Sequence, residues 1–399
     1  MPAKSHRVSA RPYISSVPRH LYIHVPFCAR RCSYCDFSIA VRANTPVEEF
    51  THALRTELAT GVIQDSVLDT VYLGGGTPSR LGGLGIANVL MAVREKASIA
   101  TDAEITIEAN PDDVNDVAVA QWAAAGVNRV SLGSQSFDDS VLEWMHRTHD
   151  ASQIGQAVKA LRRGGISNVS LDLIFALPET LNRSWERDLT LALDLEPKHV
   201  SLYGLTVEAH TPIARWASRG AIVEGSEGQY EEEFLLAHEA MTDAGFEHYE
   251  VSNFSLPGRK SRHNSAYWTG APYAGIGPSA HSFDGATRRW NVSAYSELVR
   301  RLAAGKSAVA GEELLTPENR EAEEVYLGLR TRNGLEIEES DLEHVGRWVD
   351  AGWAELENRR LRLTPTGWLR LDSLAADLAA RREKSANSTL SATASHCYI

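Results

Sequence analysis

The sequence predicts an α/β fold: a partial, open (β/α)6 barrel followed by a smaller C-terminal α+β domain. Two observations carry this. Six short apolar strands alternate with helical stretches, which implies parallel strands joined by right-handed crossovers. Glycine-rich or polar residues then follow strand after strand, on the rim where a parallel barrel gathers its active site. Six units are fewer than the eight of a closed (β/α)8 barrel, so this barrel is expected to be open.

The first strand covers residues 21–25 and runs into His24-Val25-Pro26-Phe27-Cys28-Ala29-Arg30-Arg31-Cys32-Ser33-Tyr34-Cys35-Asp36-Phe37. Thr45-Pro46 opens a helix to about residue 59. A second strand, 69–73, meets Gly74-Gly75-Gly76-Thr77-Pro78 and a helix to about 96. The third, 104–108, ends at Glu108-Ala109-Asn110, and Pro111-Asp112-Asp113 opens a helix over 114–125. The fourth, 128–132, enters Gly133-Ser134-Gln135-Ser136, with Asp138 capping the helix after it. The fifth, 168–173, carries Asp172 and precedes a helix near 185–195. The sixth, 199–203, ends at Tyr203-Gly204-Leu205-Thr206.

Beyond residue 211 the pattern changes. An acidic-faced helix over 227–244 leads to a strand-like stretch, 246–251, and then to a polar, aromatic one, 262–283. Residues 306–313 read as a small, polar linker. An amphipathic helix over 317–329, a hairpin of 353–357 and 361–363 turning at Asn358-Arg359-Arg360, and a helix from Pro365 make a winged-helix-like unit. The expected division is an N-terminal segment (1–20), a barrel core (21–225), a core extension (226–305), a C-terminal domain (306–384) and a disordered tail (385–399) rich in Ser, Ala and Thr. The tail carries Cys397, which would have to become ordered to join the other cysteines.

Composition removes several function classes. A net charge of −12 speaks against non-specific nucleic-acid binding, which needs a basic footprint. No apolar run is long enough to span a membrane, and residues 1–20 lack the apolar core of a secretory signal. Three of the four cysteines are clustered, which argues against a disulfide framework and for a reducing compartment, so a cytoplasmic location is expected. Oligomeric state, a homodimer included, and peripheral membrane contact stay open.

The clustered cysteines are spaced C-x3-C-x2-C. Thiolates are soft ligands suited to zinc or to iron–sulfur clusters. Either site ordinarily takes four ligands, and the fourth is missing locally. Three readings follow: a zinc knuckle with His24 as fourth ligand, a redox C-x2-C pair, or a [4Fe–4S] cubane with one iron open to an outside chelator. The glycine run is either a tight turn or a place where backbone approaches a ligand. Taken one at a time, Glu108, Gln135 and Asp172 read as satisfied buried polar groups; as a set on one rim they read as a polar cage. Arg147 is either a helix-surface cation or a partner for a carboxylate, while His146 and His149 read as surface residues. A second constellation runs from His263-Asn264-Ser265-Ala266-Tyr267-Trp268 through Gly270 to Ala280-His281. Imidazole suits a haem iron and aromatic rings suit a porphyrin face; the alternative is an aromatic cluster around a hydrogen-bonded histidine.

The C-x3-C-x-Y-C pattern of Cys28, Cys32, Tyr34 and Cys35 resembles the radical S-adenosylmethionine (SAM) superfamily, in which SAM chelates the open iron through its amino and carboxylate groups. From about residue 21 to the C-terminal domain the chain resembles the haem-chaperone branch of the oxygen-independent coproporphyrinogen III oxidase-like family. Phe37 stands where the oxidase pattern has a fourth cysteine, the segment before the cluster loop is short, and His263 to Trp268 spell H-N-x-x-Y-W. The resemblance implies a barrel of radical-SAM type with a [4Fe–4S] cluster on Cys28, Cys32 and Cys35. It implies a SAM pocket of Tyr22, Tyr34, Gly75, Gly76, Thr77, Glu108, Gln135, Arg147 and Asp172, with Thr206, and a haem contact at His263. The function it implies is a haem chaperone that passes haem to acceptor apo-proteins, with no catalytic residue assigned. The alternative is a radical-SAM oxidoreductase of the coproporphyrinogen III oxidase type, so whether the chain is an enzyme stays open at this point.

Overall fold

The computed structural model describes residues 17–395, with side chains through residue 384. Six parallel strands lie side by side in chain order: β1 (His20–Val25), β2 (Val67–Gly75), β3 (Ser98–Ala109), β4 (Arg129–Gln135), β5 (Asn168–Phe175) and β6 (His199–Gly204). Short strands cover both edges. Ala274–Ile276 adds parallel to β1, and Asn253–Ser255 adds antiparallel to β6, followed by Glu247–Glu250. The sheet order is linear, so the barrel is open, as expected.

Strand parity divides this sheet into two faces. Leu21, Ile23, Val71, Leu73, Ile105, Ile107, Val130, Leu132, Val169, Leu171, Val200 and Leu202 belong to one buried core with Phe50, Leu90, Trp122, Leu161 and Leu189 of the surrounding helices. Each such side chain contributes roughly 2 kcal/mol by leaving water. The alternating positions, among them Tyr72, Thr106, Glu108, Arg129, Ser131, Ser170, Asp172, His199 and Ser201, form the opposite face.

Helix starts follow the capping residues in the sequence. Asn115, Asp150 and Ser184 accept from the Ala118, Gln153 and Arg187 amides. Asp138 caps Asp139–Trp144, as its position predicts. The helix expected over 114–125 begins later, at Asp116, because a 3-10 turn (Pro111–Asp113) comes first and Asn115 supplies the cap.

Three sequence expectations need correction. The stretch 306–313 is not a free linker: Val309–Leu314 pairs with Thr287–Asn291, which pairs with His281–Phe283, so these residues complete a sheet of the core extension. The C-terminal unit therefore begins near Thr316, which caps the helix Pro317–Arg330. Residues 385–395, expected to be disordered, continue the helix Leu371–Ser395. Residues 1–16 and 396–399, Cys397 included, lie outside the described residues. The expected hairpin is present as Ala354–Glu357 and Arg360–Leu363, turning through Asn358 and Arg359 at φ 50° and 63°. Two positive φ angles match the right-handed twist of a tight hairpin. Leu335–Glu336 adds the third strand.

Candidate functional site

A cavity of about 320 Å3 opens at the C-terminal ends of the six strands, and Cys28, Cys32 and Cys35 all line it. The loop that carries them is pinned at several points. Phe27–Cys28 pairs with Ala40–Val41. The Ser33 amide donates to the Met145 carbonyl at 3.0 Å, and the Arg31 guanidinium donates to the Cys35 carbonyl at 3.0 Å. Cys28 Sγ lies 3.4 Å from Thr77 Oγ1. Burial pushes the Cys28 thiol up, with the Thr77 hydroxyl opposing, and pushes the Cys35 thiol up to about 11. Ligation therefore means displacing protons from these sulfurs. Among the described residues no three His, Cys, Asp or Glu are gathered to clasp a single ion; the thiols instead border a wider space.

The glycine turn after β2 forms the next wall, with Gly75, Gly76 and Thr77 lining the cavity. Gly75 has φ +112°, and a Cβ there would meet the His24 ring at 2.6 Å. A Cβ on Gly76 would meet the Pro26 carbonyl at 2.8 Å. Only glycine lets this backbone pass so near the cysteine loop. The Gly75 amide donates to Glu108 Oε2 at 3.0 Å, and the Tyr72 hydroxyl donates to Oε1 at 2.8 Å. Burial raises the Glu108 carboxyl to about 7, with the Asp172 charge adding to the rise. Asp172 accepts from Ser131 Oγ at 3.0 Å and is also raised by burial.

Arg147 is half-buried and lines the cavity. Its guanidinium donates to Asn110 Oδ1 at 2.7 Å, to the Gly133 carbonyl at 2.8 Å, and reaches Cys32 Sγ at 3.5 Å. It is not a surface residue. Gln135 sits at φ +66°, an uncommon conformation for a residue with a Cβ, where the β4–β5 register shifts. Tyr34 and Thr206 complete the expected lining. The surface reading of two histidines is also corrected: His146 borders the cavity, and His149 is buried with Nε2 3.3 Å from the Ser134 carbonyl, its pKa lowered by burial to about 4.

Two expected residues are not brought into this cavity. Tyr22 stacks on Tyr72 and lies 3.1 Å from His24 Nδ1, and it borders a second cavity of about 930 Å3. His263, expected to contact haem, borders neither cavity. It is 1% exposed, with Nδ1 2.6 Å from Thr70 Oγ1 and Nε2 2.8 Å from the Tyr267 hydroxyl. Both of its ring nitrogens are engaged by these internal partners. Its motif partners Tyr267 and Trp268 do border the second cavity, with Tyr273 and Phe283. Phe37 borders both cavities and is 59% exposed. Asn110, the anchor of Arg147, was legible as a strand-end residue but not in that role, since the pairing joins positions 37 residues apart.

Residues 22–192 match the Radical SAM superfamily. The fold agrees with the structure titled "Coproporphyrinogen III oxidase (HemN) from Escherichia coli is a Radical SAM enzyme", at TM-score 0.77 and 22% identity, covering 92% of this chain and 91% of that one. Closer sequence relatives are more particular. The Heme chaperone HemW of Synechocystis is 39% identical over 80% of this chain and 79% of its own length. The Heme chaperone HemW of Mycobacterium tuberculosis is 36% identical over 90% and 95%. A bovine relative, "Radical S-adenosyl methionine domain-containing protein 1, mitochondrial", is 33% identical over 81% and 70%. The chain belongs to the Heme chaperone HemW family.

Proposed function

We propose that this protein binds haem and a SAM-liganded [4Fe–4S] cluster and passes the haem to acceptor apo-proteins; its relatives are named heme chaperones. The observation that carries this reading is the pair of adjoining cavities, one bordered by three thiols and one by aromatic rings, with Phe37 common to both. Cys28, Cys32 and Cys35 would hold three irons of the cluster, and among the described residues no fourth cysteine borders that cavity. SAM would take the open corner and the space before Gly75, Gly76 and Thr77. Glu108 and Asp172 offer carboxylates to its amino group, Arg147 offers a cation to its carboxylate, and Tyr34, Gln135 and Thr206 close the walls. When bound, the cluster would supply one-electron chemistry toward the sulfonium, which is the cofactor's own reactivity. The protein's part is to enclose the site, to hold the loop through Ser33 and Arg31, and to keep the haem cavity beside it.

A cytoplasmic site of action fits this reading. No helix among the described residues is long and apolar enough to cross a membrane. Peripheral membrane contact or a homodimer would extend the reading, and vesicle flotation and light scattering test them.

The deciding experiment is anaerobic reconstitution of the full chain. Iron and sulfide near four each per chain, a spectral change on adding SAM, haem uptake with a Soret band, and transfer of that haem to an apo-acceptor are expected. Zinc without sulfide, or decarboxylation of coproporphyrinogen III without haem transfer, would overturn it.

A further inference from the structure

Strand parity places Ser131 of β4, Ser170 and Asp172 of β5, and His199 and Ser201 of β6 on the interior face of the sheet. Ser170 pairs in register with His199, and Asp172 with Ser201. Asp172 borders the first cavity; His199 lies beneath it and is fully buried. A file of hydrogen bonds joins the two. Ser170 Oγ lies 3.4 Å from Asp172 Oδ1 and 2.8 Å from His199 Nδ1. His199 Nε2 lies 2.8 Å from the hydroxyl of Tyr249, on the strand Glu247–Glu250. The Ser261 amide donates to that hydroxyl at 3.4 Å and ends the file. Ser170, His199 and Tyr249 border neither cavity.

The amide at the far end sets the direction of every proton in this file. An N–H only donates, so the Tyr249 oxygen accepts from Ser261. Among the described residues, His199 Nε2 is then the one acceptor offered to the phenolic hydrogen. A proton on Nε2 would leave that buried hydrogen unpaired. The imidazole therefore carries its proton on Nδ1 and donates it to Ser170 Oγ. The Ser170 hydrogen has two acceptors at 3.4 Å, Ser201 Oγ and Asp172 Oδ1, and the charged one holds it more strongly. Ser131 Oγ donates to the same carboxylate at 3.0 Å. The charges around the file are Arg129 of β4, Glu104 and Glu108 of β3, Glu250 of the edge strand, and Lys260 over the Tyr249 ring. Tyr72 and Tyr203 face it as phenols that burial keeps neutral. Burial and the Arg129 charge hold His199 well below its ordinary pKa, so its ring is neutral near pH 7. Burial raises the Asp172 carboxyl, and the Ser201 and Ser131 hydroxyls, the Arg129 charge and the Ser170 hydroxyl oppose that rise.

We infer that His199 is a positioning residue for SAM: as the neutral Nδ1–H imidazole it turns the Ser170 hydroxyl onto Asp172 and fixes that carboxylate as a hydrogen-bond acceptor for SAM. This role rests on the SAM site proposed above and lies one layer beneath it. The file carries no proton from end to end; it is a set of fixed donors that finishes on an anion. Without the Nδ1 donor, Ser170 is free to turn toward Ser201, and Asp172 loses a donor to its charged form. The carboxyl then keeps its proton to higher pH. SAM binds less tightly, and the loss grows as pH falls.

Calorimetric titration of the reconstituted full-length protein with SAM, at pH 6 and at pH 8, tests this. An asparagine amide stands where Nδ1–H stands, whereas a glutamine amide reaches the Nε2 position. His199→Asn is expected to bind SAM within about twofold of wild type, because it keeps the donor to Ser170. His199→Gln and His199→Leu should bind about fivefold more weakly at pH 8, the weight of one hydrogen bond, and more weakly still at pH 6. Glu108 titrates in the same range in every variant, so the ratio of variant to wild type is the quantity read. Nitrogen NMR spectra of isotopically labelled histidine, with the His199 signal identified by its absence from His199→Asn, should show the proton on Nδ1. Ser170→Ala removes only a hydroxyl and decides the matter where the His199 variants fail to fold. It should weaken SAM binding about threefold, and more at pH 6 than at pH 8. Wild-type affinity at both pH values in Ser170→Ala or in folded His199→Leu, or a proton on Nε2, overturns the positioning role and leaves the SAM site standing. Equal weakening by His199→Asn, His199→Gln and His199→Leu at both pH values does the same, since it marks a residue that serves the fold alone. Wild type that takes up its cluster and binds no SAM removes the SAM reading, and this role with it.

Discussion

Gln135 is held at φ +66° beside the thiols, a conformation that costs a residue with a Cβ of order 1 kcal/mol or more. Such strain persists only where its surroundings over-determine it, here the register shift between β4 and β5. Glycine meets the same backbone without that penalty. Gln135→Gly is therefore expected to leave thermal stability unchanged or raise it slightly, by up to about 1 kcal/mol, while weakening SAM binding to the reconstituted protein about tenfold. Calorimetric melts and SAM titration check the two halves separately; loss of stability would mean that the side chain serves the fold. The same scale explains what could be read from the sequence. Cysteine spacing is local, so Cys28, Cys32 and Cys35 were legible and do share one cavity. The role of His263 depends on Thr70, 193 residues away, and on whether a helix of the core extension packs against β2. Nothing in the motif itself reports that both ring nitrogens are already occupied. Tyr22 lies on the interior face of β1, three residues short of the strand's end and roughly 10 Å below the rim.

At the level of elements, the strands carry a pattern that is unusual for parallel sheets. Strands covered by helices on both faces read as continuous apolar runs. Here Val130-Ser131-Leu132, Val169-Ser170-Leu171-Asp172-Leu173 and Val200-Ser201-Leu202 alternate, because helices cover one face and the other turns to the polar interior. The alternation and the helix caps made the barrel legible. The strand Val309–Leu314 was not, because it is mostly exposed and owes its conformation to pairing with Thr287–Asn291. The glycine turn after β2 joins element to site. Alanine at Gly75 would face both a strained φ and the His24 ring at 2.6 Å. Gly75→Ala is expected to destabilise the protein by roughly 1–3 kcal/mol and to displace the backbone that borders the thiols. Urea unfolding should show a lower midpoint, and reconstituted protein should retain less iron. Gly82→Ala is the control: its φ is also positive, but a Cβ there meets nothing within 4 Å, so it should lose stability and keep its iron.

Across the whole molecule, the barrel and its extension are tied together by Glu57, a buried acid on Val47–Leu58. Its Oε2 accepts from the Gly277 amide at 2.9 Å and its Oε1 from Asn291 Nδ2 at 2.6 Å, bridging more than 200 positions in sequence. Gly277 is itself constrained, at φ +90° with the His24 carbonyl 2.5 Å from where a Cβ would stand. Burial raises the Glu57 carboxyl to about 7, against the opposing pull of those two hydrogen bonds. The folded protein therefore holds this proton more tightly than the unfolded chain, whose carboxyl titrates near its ordinary value. Below that ordinary value both states are protonated and the group's contribution is fully present. As pH rises toward about 7 the unfolded chain ionises first, and stability falls by roughly 3 kcal/mol from this group. Glu108 titrates in the same window, so the wild-type slope alone does not isolate Glu57. The comparison with Glu57→Gln does. Denaturant unfolding at pH 5, 6, 7 and 8 should show wild type losing stability across the range and the variant losing distinctly less. Parallel curves for the two proteins would mean that Glu57 is ionised in the folded state throughout, with the Gly277 and Asn291 donors outweighing the cost of its burial.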